Sequence, residues 1–251
     1  MILKIIKAIR EKVLFYRIKR FIRLKIGFKK ELNDYSLQIY EEKMLFALLD
    51  CLNIDNFFQI GIGDPDLNRD PFYNYLKKKK INGSVIEPHP ILFQKLKNYY
   101  DGCLKINCLI GSKDNAQEEF FYVDQKYLYL YEDFVKTIST TNKNHLIENK
   151  VLPDHVKSIK IRSHTIKKVM EDNNIKNFDI LFLDVEGSEF DILSQFLNNT
   201  NFFPSIIFEW RHLPQKNLFI LLDKMKDNFD YKFVIFENDI LCFKESNLKN
   251  D

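Results

Sequence analysis

The residues to read first for chemistry are Asp184, Glu186 and Glu189, which leave the apolar run Ile180-Leu181-Phe182-Leu183. Carboxylates so placed can orient a hydroxyl, accept its proton or hold a divalent cation. A short apolar run bounded by acids fits a strand buried on both faces of a parallel sheet. Ser188, with Asp191 three positions on, reads as a helix start, and Phe190, Leu193 and Leu197 follow at helical spacing. The acids would then stand at the carboxyl end of a strand, where open α/β sheets bind ligands. A solvated acidic turn is the plainer alternative, so the other strand ends have to decide.

Two of them add to the pattern. Phe57–Ile62 is strand-like and runs into Gly61-Ile62-Gly63-Asp64-Pro65. Glycine there lets backbone approach a ligand closely. A second short strand, Gly83–Ile86, ends at Glu87, 24 positions after Gly63. An acid at that spacing can accept both hydroxyls of a ribose. Pro65 stands where a phosphate-binding turn wants a further glycine, and no P-loop lysine motif is present. The turn suits a nucleoside without a pyrophosphate, with S-adenosylmethionine the leading candidate. A further strand, Ser205–Phe208, ends at Glu209 with His212 close behind.

Asp184, Glu186, Glu209 and His212 thus fall past the carboxyl ends of neighbouring strands and form the candidate catalytic set. Asp184 would orient a substrate hydroxyl or hold a divalent cation such as Mg. Glu186 would do the same or act as base, and His212 has either a catalytic or a purely structural role. The other histidines, His89, His145, His155 and His164, read as surface residues, and with no HxxxH spacing no zinc site is suggested.

The elements that would position these residues alternate. Helices are predicted over Leu37–Leu52, Phe72–Lys80, His89–Tyr100, Thr165–Asn173, Glu189–Leu197 and Lys216–Phe229. Leu104–Ile110 reads as a third strand and Glu119–Val123 as a fourth, at an edge. Tyr231–Phe236 and Ile240–Lys244 flank Glu237-Asn238-Asp239 as a hairpin with a three-residue loop. The pattern predicts an α/β fold with a doubly wound, mostly parallel seven-stranded sheet, Rossmann-like, ending in an antiparallel hairpin. Residues 31–251 would be one domain, interrupted by an irregular insertion at about 124–157 that suggests a functional lid.

The 251 residues, 45% hydrophobic and 29% charged, suffice for one sizeable core. Four cysteines without CxxC spacing, and no secretory signal, point to reduced thiols in a cytoplasmic protein. Charge is unevenly spread. Residues 1–30 carry eleven Lys or Arg against Glu11, a net +10, so a chain of net +3 leaves −7 on its remainder. Ile2, Ile5, Ile6, Ile9, Val13, Phe21 and Ile22 follow helical spacing in that arm. Such a basic amphipathic helix suits an anionic membrane surface, peripherally on the inner face, or packing on the body or on a second copy in a homo-oligomer. Nucleic acid is disfavoured as a partner, because the acidic body would repel phosphates.

Several ordered motifs resemble the FkbM family of S-adenosylmethionine-dependent methyltransferases over roughly residues 55–245. They are Phe58-Gln59-Ile60-Gly61, Arg69-Asp70-Pro71, Ile86-Glu87-Pro88, Lys95-Leu96-Lys97-Asn98-Tyr99, Asn107, Ile138-Ser139-Thr140, Leu183-Asp184-Val185-Glu186-Gly187, and Ile207-Phe208-Glu209 with His212-Leu213. The resemblance implies a class I methyltransferase fold, with Gln59, Gly61, Gly63, Asp64, Glu87 and Asn107 binding the cofactor. It also implies sugar or glycoconjugate acceptors. One departure is plain: similar members read GANDG where this chain has Gly61-Ile62-Gly63-Asp64-Pro65. The expected function is O-methylation of a sugar hydroxyl or other small molecule. The alternative is a non-catalytic binding protein on a methyltransferase scaffold. Adenine-amino methylation ranks last, since Asp184-Val185-Glu186-Gly187 is not the Asn/Asp-Pro-Pro-Tyr turn that such enzymes carry.

Overall fold

The computed structural model describes residues 34–67 and 71–249; the basic arm at 1–30 and Arg69-Asp70 lie outside them. Helix α1 (Asp34–Leu49) buries Leu45, Leu48 and Leu49 and belongs to a first compact unit. Residues 51–248 form the second unit, which carries the site.

In chain order the second unit runs β1 (Asn56–Ile60), α2 (Pro71–Lys79), β2 (Asn82–Ile86), α3 (Pro90–Lys95), β3 (Leu104–Ile106), β4 (Leu109–Ile110) and β5 (Ala116–Val123). It continues with α4 (Asp133–Thr137), β6 (Ser139–Thr140), α5 (Lys143–Glu148), β7 (Val156–His164), α6 (Ile166–Asp172) and β8 (Ile180–Leu183). It closes with α7 (Glu189–Asn199), β9 (Ser205–Glu209), α8 (Gln215–Phe229), β10 (Lys232–Ile235) and β11 (Asp239–Phe243).

Seven strands form a sheet in the order β10-β11-β9-β8-β1-β2-β3, parallel from β9 to β3, with β11 antiparallel to both neighbours. All four residues of β8 are buried, as a continuous apolar run in a parallel sheet requires. Leu181 and Leu183, with Phe58, Ile60, Ile206 and Phe208, build one core with apolar faces of α6, α7 and α8, to which Val169, Leu193 and Leu221 belong. Phe182 packs on the other face against Phe57 and Phe72. Burying each such side chain contributes about 1.5–3 kcal/mol.

Register then places the chemistry. Ile60 pairs with Ile86 on one side and Leu183 on the other, and Leu183 pairs with Phe208. The next residues of those strands, Glu87, Gly61, Asp184 and Glu209, therefore stand in a row across four parallel strands about 4.8 Å apart.

A second sheet, ordered β4-β7-β5-β6, departs from the sequence reading. The predicted third strand breaks at Asn107 into β3 and β4, which join different sheets. Strand β5 is not an edge: β7 pairs along its whole length and β6 at its end. Strand β7 escapes prediction because Lys157, Lys160 and Arg162 project outward and hide its short apolar alternation. The predicted insertion is structured within this frame, with α4, β6 and α5 packing Val135, Ile138 and Leu146 against Val123 and Val151. In the terminal hairpin the Phe236 amide donates to the Asp239 carbonyl at 2.8 Å, so the loop is the two residues Glu237-Asn238 rather than three.

Candidate active site

The β1 end is closed on itself. Gly61 takes φ +79°, and its amide donates to the Ile86 carbonyl at 3.1 Å. A side chain there would put Cβ 1.7 Å from the Asp184 carbonyl oxygen, so only glycine lets β1 leave the sheet between β2 and β8. Glu87, 2% exposed, grips the turn: Oε2 accepts from the Ile62 and Gly63 amides at 3.1 and 3.2 Å, and Oε1 from the His89 amide at 2.8 Å. Burial pushes its carboxyl up to about 7 against the pull of those three amides. Three of the roughly four acceptor positions of a carboxylate are thus used, leaving one for a ribose hydroxyl rather than the two expected.

The other residues expected to bind cofactor divide. Asp64 is paired with Lys95, which also reaches Asp66 at 2.9 Å. Gln59 lies under the turn and accepts from the Tyr100 hydroxyl at 3.0 Å. Asn107 donates to the Glu87 and Pro88 carbonyls at 2.7 and 3.2 Å, so it holds the β2 exit in place and does not line the cleft.

The β8 end is built alike but charged differently. Glu189, fully buried, accepts from the Val185 and Gly187 amides, both at 3.0 Å, and burial raises its carboxyl to about 7. Helix α7 starts directly after Ser188 as expected, though the Ser188 side chain makes no cap hydrogen bond there. Asp184 is open to the cleft yet walled by protein and acids. Desolvation, then repulsion from Glu186, Glu209, Glu189 and Asp239, raises its carboxyl well above the usual range. Glu209 rises to about 8, through burial first and then Glu186, Glu189 and Asp239, with Arg211 pulling the other way.

Two imidazoles meet these acids. Glu186, a non-glycine residue at φ +56°, sets Oε2 2.8 Å from His145 Nε2 and 3.6 Å from His212 Nε2. His212 Nε2 is also 3.4 Å from Glu209 Oε2, and the two imidazole rings meet edge to face at 4.4 Å. The Glu186 contact raises the His145 pKa, whereas burial lowers that of His212. His145 is 6% exposed, which corrects the surface reading; it lies 41 residues before Glu186 on α5, so no spacing rule could have found it. His89 is also buried, its Nδ1 accepting from the Ile91 and Leu92 amides at the start of α3. His155 and His164 are half-buried, His155 bound to the Tyr131 hydroxyl at 2.6 Å.

A cleft of about 220 Å³ joins the two ends. Gln59, Gly61, Gly63, Asp64 and Glu87 line one part, and Asp184, Glu186 and Asp239 another. Thr137, Ser139 and Thr141 complete it from the segment between β5 and β7; of these the sequence reading had picked out only Ser139. Glu209 and His212 stand behind Glu186 rather than in the lining.

A mixed α/β unit with a mostly parallel seven-stranded sheet and acids at its strand ends has the form of a methyltransferase domain. The profile of the methyltransferase FkbM domain matches residues 56–233, more than half of the 251 residues, and the chain belongs to that family. No curated protein matches the chain significantly.

Proposed function

We propose that this protein is an S-adenosylmethionine-dependent O-methyltransferase acting on a hydroxyl of a sugar or glycoconjugate, with a doubly wound, Rossmann-like sheet. The observation that carries the reading is the row Glu87, Gly61 and Asp184 along one cleft, with Glu209 next in the row behind it. The residues present suit the cofactor: the Gly61–Gly63 turn lines the cleft with backbone, and buried Glu87 keeps one acceptor position for a ribose hydroxyl. Bound there, S-adenosylmethionine would supply an electrophilic methyl on a sulfonium.

The chain's own groups would do the rest. Asp184, open to the cleft, orients the acceptor hydroxyl and takes its proton as the oxygen is methylated. Its raised carboxyl makes the ionised form a stronger base than a free carboxylate, and such a base is worth roughly 10²–10⁴-fold. Asp184 is also the residue for a divalent cation such as Mg, if the reaction uses one there. Glu186 fixes the acceptor beside it, with Glu209 and His212 setting the field behind. Positioning of the two reactants supplies most of the remaining acceleration.

Calorimetry with S-adenosylmethionine, followed by transfer of labelled methyl to a panel of glycosides, tests this. Asp184→Asn should bind the cofactor within a few-fold of wild type and lose at least about 100-fold in turnover. No cofactor binding by the wild type would leave the scaffold reading instead. Wild-type turnover in Asp184→Asn would remove the acidic end from the reaction.

The arm at 1–30 would bring the enzyme to an anionic membrane surface. Its net +10 supports this, at about 1 kcal/mol per basic residue near such a surface. Among the described residues no helix is long and apolar enough to cross a membrane. The full chain should co-sediment with anionic vesicles and release as salt rises, whereas a chain starting at Asn33 should stay in the supernatant. Equal sedimentation of the two would favour an arm that packs on protein.

A further inference from the structure

We infer that His145, Glu186 and His212 form a binding site for one divalent first-row transition-metal ion, beside the acids of the β8 end. The three residues come from separate places in the chain, α5, the loop after β8 and the turn after β9. Their ligand atoms nevertheless all lie within 4.8 Å of one another.

His145 Nε2 is hydrogen-bonded to Glu186 Oε2 at 2.8 Å, but His212 shares the same carboxylate oxygen at a spacing that suits ligands of one centre better than hydrogen-bond partners. Nε2 of His212 is 3.6 Å from Glu186 Oε2 and 3.4 Å from Glu209 Oε2, too long for good hydrogen bonds. Two ligands each about 2.1 Å from a common ion, at tetrahedral or octahedral angles, are roughly 3.0–3.4 Å apart. The contacts of Glu186 Oε2, 2.8 Å to His145 and 3.6 Å to His212, bracket that range. A single proton can satisfy Glu186 with one imidazole only. An ion between them satisfies both nitrogens and the carboxylate at once, and offsets the charge of Asp184, Glu189 and Glu209 next to it.

The donor set also selects the ion. Two imidazoles and one carboxylate suit zinc, iron, cobalt or manganese better than magnesium, which prefers oxygen alone. The neighbouring oxygen cluster, Asp184, Glu189 and Glu209, is the poorer site, because both Glu189 oxygens already accept loop amides. Three protein ligands leave coordination positions free for water or for an oxygen of a bound molecule. The inference does not rest on the methyl-transfer reading, since the ion binds whether or not a cofactor does.

The test uses the full chain, stripped with a chelator and titrated with Co²⁺ in the absence of S-adenosylmethionine. Calorimetry should count one ion, and a visible absorption band should report nitrogen coordination. His145→Gln and His212→Gln should each weaken binding by more than the roughly 10–100-fold lost with a supporting partner alone. Asp184→Asn should stay within a few-fold of wild type. Should either histidine variant fail to fold by circular dichroism, the wild type still decides. Co²⁺ should protect His212, but not His155, from diethyl pyrocarbonate, as read by peptide mass spectrometry. Absence of Co²⁺ binding, binding indifferent to both histidines, or binding that follows Asp184 instead would each overturn the site.

Discussion

The β1 and β8 ends of the sheet use the same device but crowd their acids to different degrees. Each loop is tied by one buried glutamate accepting two loop amides, Glu87 for Ile62 and Gly63, Glu189 for Val185 and Gly187. Around Glu87 the two remaining acids, Asp64 and Asp66, share one cation, Lys95. Around Glu189 the acids Asp184, Glu186, Glu209 and Asp239 crowd one another, facing two imidazoles and Arg211. Like charges at one strand end are costly unless a proton, a cation or a substrate hydroxyl relieves them. The end whose acids share a lysine suits a constant ligand such as a cofactor, and the more crowded end suits the group that reacts.

The comparison breaks first at the glycines. Gly61 and Gly187 both have positive φ, +79° and +109°. Only Gly61 is also hemmed in, with the Asp184 carbonyl oxygen 1.7 Å from an added Cβ, whereas nothing lies within 4 Å of one at Gly187. Gly61→Ala must push β1 away from β8 and should cost more than about 4 kcal/mol, the range of severe core damage. Gly187→Ala keeps only the backbone strain, about 1–3 kcal/mol. Urea unfolding of the two variants checks this; equal losses would mean that the β1 and β8 exits are not wedged together as described.

Much of this was legible in the sequence, and the parts that were not share a cause. Apolar runs ending in acids marked β8 and β9, because a buried parallel strand is largely apolar and turns polar where it emerges, while β1 was marked by the Gly61–Gly63 turn and β2 by Glu87 at its end. The use of each carboxylate was not legible. Glu87 is at the predicted strand end, yet it spends most of its acceptor capacity on its own loop, which depends on turn geometry alone. Glu189 likewise spends both its oxygens on amides of the loop after β8. His145 was invisible because a contact between α5 and the β8 exit is made by folding across 41 positions. Strand β7 was hidden by lysines on its solvent face, and its partner β5 was accordingly taken for an edge.

The smaller effect is on pH, where the two ends should behave alike despite their different charge. Burial raises Glu87 and Glu189 from 4.5 to about 7 in the folded protein. Between those values the native state holds more protons than the unfolded chain, so stability falls as pH rises. The stabilisation is fully present below about 4.5 and gone once pH passes about 7, on the order of 3 kcal/mol for each group. Glu209, raised to about 8 but partly open to solvent, extends the decline weakly, and Asp184 and His145, both raised, act in the same direction. His89, lowered to about 4 by burial, and His212, also lowered by burial, oppose it up to about pH 6.5 without matching the raised carboxyls together. Asp66 and Asp124 are lowered, so what they contribute is lost only at pH below their usual value of 3.8, outside this window. The urea midpoint should therefore drop from pH 5 to pH 8 and then level. Glu87→Gln and Glu189→Gln will each be less stable at every pH, because an amide nitrogen then faces a backbone N–H. What distinguishes the mechanism is slope: each substitution should remove a comparable share of the decline. If Glu189→Gln flattens the curve and Glu87→Gln leaves it unchanged, the β1 end carries its carboxylate ionised throughout. In that case the three amides outweigh burial there, and the two loops differ in kind rather than in their neighbours.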